Sequence, residues 1–182
     1  ELGYRTGMAS LFARAMYYDG GEYGEAVLSS YTFVGSKNIP LPHLPDSEPR
    51  AALATLIKTE NGNTLQFVGT HLDHLEKDTD RIMQAKAVVK ALGGSEYPTL
   101  IVGDLNDDPN SGTLQIFKSK FTKPDNPSAF QNTAPSNKPE VCIDHILFNK
   151  PKQWQVIDYE VLCENYASDH CIVIATLVFT PQ

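Results

Sequence analysis

Positive charge is scarce in this sequence: 15 lysines and arginines stand against 22 aspartates and glutamates, a net charge of -7 at neutral pH. That is the wrong sign for a protein that grips long duplex phosphates through a basic surface. Long apolar runs are missing too. The longest, Cys171 to Phe179, falls far short of the ~20 residues that a membrane helix needs, and it reads as a buried strand. Cysteine is sparse, and Cys142, Cys163 and Cys171 form no even-numbered framework. They read as small buried apolar residues rather than as ligands or disulfide partners. Neither a GxSxG elbow nor a GxxxxGK[ST] loop occurs, so serine-hydrolase and nucleotide-motor readings have no support. The chain opens on Glu1 with no signal-like pattern, and an upstream segment is expected to have been cleaved or left out.

What is present is enough for one globular domain: 182 residues, of which 41% are apolar and 20% charged. Val27 to Ser30 and Arg50 to Lys58 read as strands. The Glu60-Asn61-Gly62-Asn63 turn joins the second of them to Thr64–Leu72 as a hairpin. From Asp78 onward, Ile82, Ala85, Val88, Val89 and Leu92 recur at helical spacing, and Gly93-Gly94 supplies a stop after about five turns. Further strands are expected at Thr99–Val102, Val141–Phe148, Gln155–Val161 and Cys171–Phe179, with a short helix over Thr113–Lys118. Continuous apolar strands such as Ile172–Leu177 point to sheets covered on both faces and packed between helices. Eight of the 12 prolines fall in Gly35–Pro49 and Thr122–Pro139, which read as long loops. Such loops either select substrate or simply connect elements across the surface.

Four polar clusters stand at strand ends. In "LIVGDLNDDPNSG" an apolar strand runs into Asp104, Asn106, Asp107 and Asp108. In extended chain Asp104 and Asn106 point the same way, so a carboxylate and an amide emerge together. Taken alone they fit an Asx turn ahead of Pro109 better than a site. In "GTHLDHL", His71 and Asp73 share one strand face and His74 starts the following turn, an arrangement closer to a metal or phosphate site than to a core; a hydrogen-bonded interior histidine is an equal alternative for His71 and the plainer reading for His74. "IDHILF" places Asp144 beside a strongly apolar strand, where a carboxylate needs a partner. The best partner is His170 of "SDH": Asp144 would fix its tautomer, while Asp169 stays free for a cation. Carboxylate and amide oxygens suit magnesium or manganese better than zinc.

Taken in order, "GEAVLS", "EPRAAL", "GTHLDH", "GDLND", "IDHILF" and "SDHCIV" resemble the motifs of the endonuclease/exonuclease/phosphatase superfamily, from about Gly20 to the C-terminus. "GGEYGEAVLS" further resembles its small bacterial metal-dependent hydrolases, and Tyr23 in it is a candidate substrate-loop residue. The resemblance implies a deoxyribonuclease I-like fold, an α/β/β/α sandwich of two stacked mixed sheets with the site at one end. It implies that Asp104 activates the attacking water, Asn106 holds the phosphate and Asp169 is a magnesium ligand. His170 would contact the phosphate with Asp144 behind it, and His71 would line the scissile group. Arg50 and Glu48, two apart, match the family's Glu-x-Arg step as supporting residues. The implied activity is magnesium- or manganese-dependent hydrolysis of a small phosphoester, a phospholipid headgroup or nucleic acid, by in-line attack.

Family members begin with a strand carrying Asn and a strand ending in Gln-Glu, whose glutamate binds metal; neither precedes "GEAVLS" here. Glu1 is a poor substitute, with no room behind it for the helix that the family places there. The expectation is a domain truncated at its N-terminus, with two strands missing and strand edges open to another copy or a partner. Two rival readings stand beside the hydrolase. One is a non-catalytic relative with an impaired metal site. The other is a zinc hydrolase of metallo-β-lactamase type, which "THLDH" matches only in part because Leu72 lies between His71 and Asp73.

Overall fold

The computed structural model describes residues 1–181. Its centre is a five-stranded sheet built from β3 (Thr32–Pro40), β4 (Ala51–Lys58), β5 (Thr64–Thr70), β6 (Thr99–Asp104) and β7 (Asp144–Phe148), in that spatial order. The sheet is mixed. The β4–β5 hairpin is antiparallel, β6 returns parallel to β5 through helix α2 (Thr79–Leu92), and β7 pairs antiparallel with β6. Two antiparallel ribbons, β1 (Ala9–Tyr18) with β2 (Gly21–Ser29) and β8 (Trp154–Leu162) with β9 (Ile172–Phe179), form the second β-layer. The fold is thus the expected deoxyribonuclease I-like stack of β-layers, with the second layer divided in two.

Burial explains the layering. On one face of the five-stranded sheet Ala52, Ala54, Val68 and Ile101 pack against Ala85, Val88 and Leu92 of α2 and Leu114 and Phe117 of α3 (Gly112–Lys118). On the other face Leu53 meets Ala13 and Val27 of the first ribbon, while Ile146 meets Tyr159 of the second. Strands covered on both faces lose alternation, as in β4, whose first five residues are all buried. Between the ribbons β2 and β9 face each other across an apolar groove floored by Phe67 and Leu100, with a volume of about 580 Å³ beside Trp154 and about 500 Å³ beside Val173. The first helix, α1 (Leu2–Thr6), buries none of its residues.

Several expectations are corrected. The proline-rich segment from Gly35 is not all loop: β3 runs to Pro40, and as an edge strand it tolerates a proline at its end. Ala9–Tyr18, which had no assignment, forms β1, and β2 begins at Gly21 rather than Val27. Helix α2 has 14 residues, about four turns rather than five. β9 is not covered on both faces, because Ile172, Ile174 and Val178 are 42–51% exposed. Cys163 and Cys171 are joined in a disulfide across eight residues, and only Cys142 is the buried free thiol expected of all three. A short bracket around the "SDH" turn brings the two sulfurs together, which composition alone did not reveal.

Helix α2 also organises the loops that reach the site. Asp80 accepts from the Leu44 amide at 2.9 Å and from the Ser47 hydroxyl, which fastens the loop carrying Glu48 and Arg50. Arg81 donates to the carbonyls of Asp73 and Leu75 and lies 3.4 Å from Asp107 Oδ2. Gln84 accepts from the Asp73 amide at 2.8 Å. The buried polar face of one helix therefore fixes three loops at once.

Candidate active site

The β6–β7 register sets Asp104 directly opposite Asp144. Gly103, at φ 140°, makes this possible: a Cβ there would sit 1.9 Å from the Thr70 carbonyl oxygen, so the end of β6 passes β5 at a distance open only to glycine. Beyond Asp104 the chain turns. Asn106 adopts φ 50°, its amide N–H donates to Asp104 Oδ1 at 2.8 Å, and its side-chain nitrogen donates to the Leu72 carbonyl at 3.0 Å. The Asx turn and the candidate site are therefore the same structure, and the extended geometry expected for Asp104 and Asn106 is replaced by a turn. Asp104 spends one oxygen on the turn and presents the other, Oδ2, to His71 Nε2 at 3.4 Å and His170 Nε2 at 4.0 Å. Asp107 and Asp108 stay with the turn, accepting from the amides of Asp108 and Asn110.

The two histidines are shifted in opposite directions. His71 Nδ1 lies 3.2 Å from Arg50 Nη1 and 3.2 Å from the Tyr23 hydroxyl. A guanidinium only donates, so Nδ1 accepts and the ring proton sits on Nε2, facing Asp104. Burial, together with the nearby charge of Arg50, pushes His71 down to about 4, and it is neutral at pH 7. His170 is the opposite case. Burial by itself would lower it, but its Nδ1 bond to Asp144 Oδ2 at 2.9 Å and the charges of Asp144, Asp104 and Asp169 leave its pKa raised. Asp104 is pushed up to about 6 by burial and by Asp144, with the Asn106 amide pulling the other way.

Supporting groups surround this core. Arg50, 3% exposed, donates to Tyr23 Oη at 3.1 Å and to Glu48 at 2.9 Å, with its Nη2 also 3.2 Å from His74 Nδ1. Arg50, expected to open the strand Arg50–Lys58, stands with Glu48 in the segment just before β4. Thr133 ties the remaining pieces together: its Oγ1 accepts from the amides of Ile143 and Asp144, and its carbonyl accepts from Cys171. The structure thus brings together Asp104, Asn106, Asp144, His170, His71, Arg50, Glu48 and Tyr23. It leaves Asp169 exposed at the rim and turns Asp73 inward, fully buried, to accept from Leu75. Glu1 is 73% exposed and paired with Arg5.

One residue of the site was missed. Tyr23, Glu25 and Val27 alternate on the inward face of β2, so Glu25 points toward the five-stranded sheet where an apolar side chain would be the ordinary choice. Burial and the charge of Asp104 push its carboxyl up to about 7, against the opposing pull of Arg50 and the His71 amide. A glutamate two residues from an inward valine was the available signal.

Asp104, Asp144 and His170 each present one ligand atom, all within 4.8 Å of one another. Two carboxylates opposed at close range repel, and a hard divalent cation is the partner that such a donor set fits. His71, Asp73 and His74 do not assemble as the zinc reading requires, since Asp73 is committed to its own turn.

The model of the Endonuclease/Exonuclease/phosphatase family matches residues 3–170. The chain belongs to that family. It is accordingly a metal-dependent hydrolase of phosphoesters. Among solved structures, a functionally unknown conserved protein from Enterococcus faecalis V583 is 23% identical with a TM-score of 0.80, over 95% of this chain and 77% of that one. The catalytic domain of human Nocturnin, solved with a bound sulfate anion, is 21% identical with a TM-score of 0.76, over 98% of this chain and 75% of that one. A mannosyl-6-phosphatase from Bacteroides thetaiotaomicron is 24% identical with a TM-score of 0.73, over 95% of this chain and 78% of that one. Among the described residues no helix is long and apolar enough to cross a membrane.

Proposed function

We propose that this chain, as a single domain, is a magnesium-dependent phosphodiesterase or phosphatase acting on a small phosphoester, with a phospholipid headgroup or nucleic acid as wider alternatives. The observation that carries the reading is the convergence of Asp104 Oδ2, a neutral His71 and a His170 raised by its carboxylate neighbours on one point. Asp104 accepts the proton of the attacking water. His71 offers its Nε2 proton to an oxygen of the scissile group. His170, held by Asp144 at 2.9 Å, contacts the phosphoryl oxygens, where charge builds during in-line attack. Asn106 keeps one amide proton for a phosphate oxygen after its bond to Leu72. Arg50, Glu48 and Tyr23 hold His71 in its tautomer. Asp104 and Asp144 would hold Mg2+ or Mn2+, with Asp169 as a further ligand at the rim; when bound, the cation polarises the phosphoryl group as a Lewis acid.

The test is hydrolysis of a p-nitrophenyl phosphodiester, a phospholipid and plasmid DNA with magnesium and again with a chelator. Chelation should abolish turnover, and Asp104→Ala and His170→Ala should each lower kcat by about 10²–10⁴-fold while thermal unfolding stays cooperative. Survival of activity in either variant refutes the role assigned to that residue. A wild-type protein that folds, binds magnesium and hydrolyses none of the three refutes the substrate range proposed here.

A further inference from the structure

The tip of the first ribbon reaches past the candidate site, and its two aromatic residues are not equivalent. Asp19 and Gly20 both take left-handed φ, 47° and 75°, which closes β1 onto β2 in a two-residue turn of the type that matches strand twist. The register sets Tyr18 opposite Gly21, two residues from Tyr23 and on the same face. The Tyr18 ring meets the Tyr23 ring edge-on at a centroid distance of 6.5 Å. Tyr23 in turn reaches His71 with its hydroxyl and lies under the Arg50 guanidinium at 5.7 Å. Tyr17 faces away: its ring is covered by Arg14 at 4.0 Å, and Arg14 also binds Glu22. Among the described residues Tyr18 carries no guanidinium on its ring; both tyrosines are largely exposed, Tyr17 72% and Tyr18 65%, so the face each takes is what separates them.

We propose that Tyr18 is a specificity-determining residue that forms a ring-binding subsite and selects phosphoesters whose alcohol carries a planar aromatic ring a short spacer away from the phosphate. The inference rests on the phosphoester reading above. A phosphate placed between His71 and His170 has Tyr23 as its neighbour on the ribbon side, so a ring bonded directly to the ester oxygen reaches Tyr23 at most. A ring one spacer further out meets Tyr18. The tight turn fixes the backbone from which that ring projects, and its edge contact with Tyr23 orients it toward the site. The net charge of -7 lends no grip on phosphate outside the site, and contact with a ring is a source of affinity that does not depend on charge.

Calorimetric titration in magnesium buffer with adenosine 5′-monophosphate, 2-phenylethyl phosphate and ribose 5-phosphate tests this. The first and third share phosphate and sugar and differ only in the ring, and the second asks whether any spaced ring suffices. The two ring-bearing ligands should bind about tenfold more tightly than ribose 5-phosphate, from the size of single-ring stacking. Tyr18→Ala should bring that ratio close to one, whereas Tyr18→Phe and Tyr17→Ala should preserve it. If only the adenine ligand shows the preference, the shared-ring form of the proposal falls. Equal affinities in the wild type, or an unchanged ratio in Tyr18→Ala, overturn the subsite and leave the phosphoester reading standing. If no phosphate binds and no p-nitrophenyl ester is hydrolysed, both fall together.

Discussion

Glu25 shows how a single side chain at the site trades stability against position. Its carboxyl lies on the inward face of β2, and burial there, reinforced by Asp104, pushes it up to about 7 from an ordinary value of 4.5. A carboxyl raised by folding holds its proton more tightly in the native state, so the stability it contributes is complete below about 4.5 and is lost as pH rises through about 7. Glu25→Gln keeps the shape and removes the titration. In urea unfolding the variant should match the wild type near about pH 4 and exceed it by roughly 1–3 kcal/mol near about pH 8, because each tenfold gain in proton affinity on folding corresponds to about 1.4 kcal/mol. Parallel pH profiles for the two proteins would show that Glu25 is solvated and does not titrate as stated. At this scale the polar motifs were legible: Asp104, Asp144 and His170 lay in short strings whose chemistry can be read one residue at a time. Asn106 was legible only in part, because a left-handed φ after a strand is a property of the turn that its neighbours impose. Glu25 was not read because it looks like a solvent-facing charge until β2 is known to begin at Gly21.

The element that carries His170 is a loop pinned from two sides. The Cys163–Cys171 disulfide closes it, and the segment 133–136 holds it through Ser136 Oγ to the Ser168 carbonyl at 2.7 Å and Ser136 N to the Asp169 carbonyl at 2.6 Å. Replacing both cysteines, Cys163→Ser with Cys171→Ser, should cost about 2–3 kcal/mol by chain-entropy reasoning for so short a loop. It should also lower kcat, because His170 Nδ1 no longer stays at its partner Asp144. Denaturant unfolding and turnover of the same preparation check both. If kcat is unchanged while stability falls, the 133–136 segment alone positions His170. Neither support was visible in composition: three cysteines in 182 residues look like core filler, and the 133–136 stretch looks like a proline-rich connection. Regular elements were read better where their periodicity was their own, as in α2. They were read worse where neighbours decided, as in β1 and β3, whose exposed residues and Pro40 carry no strand signal without a partner strand.

At the scale of the whole molecule, the apolar groove between β2 and β9 leaves two strand edges without partners among the described residues. Unpaired edges beside apolar surface are templates for strand addition. Sedimentation should therefore show concentration-dependent association of this chain, and Ile174→Lys, a charge on the exposed face of β9, should weaken it by about tenfold. Sedimentation as a monomer at all concentrations would show the groove to be closed to a second copy. The stacking of two β-layers was legible from the apolar strands and the order of motifs; the division of the second layer was not, because it depends on which edges find partners. The pairing of β6 with β7 has one more consequence, which concerns inheritance rather than chemistry. Asp104 and Asp144 meet only because their strands are in register, and side chains change face with every residue. Gaining or losing residues within 123–132, which lies outside both strands, leaves that meeting intact. Gaining or losing a single residue inside either strand turns one carboxylate to the opposite face, so over evolution the loop is free to vary in length and the two strands are not.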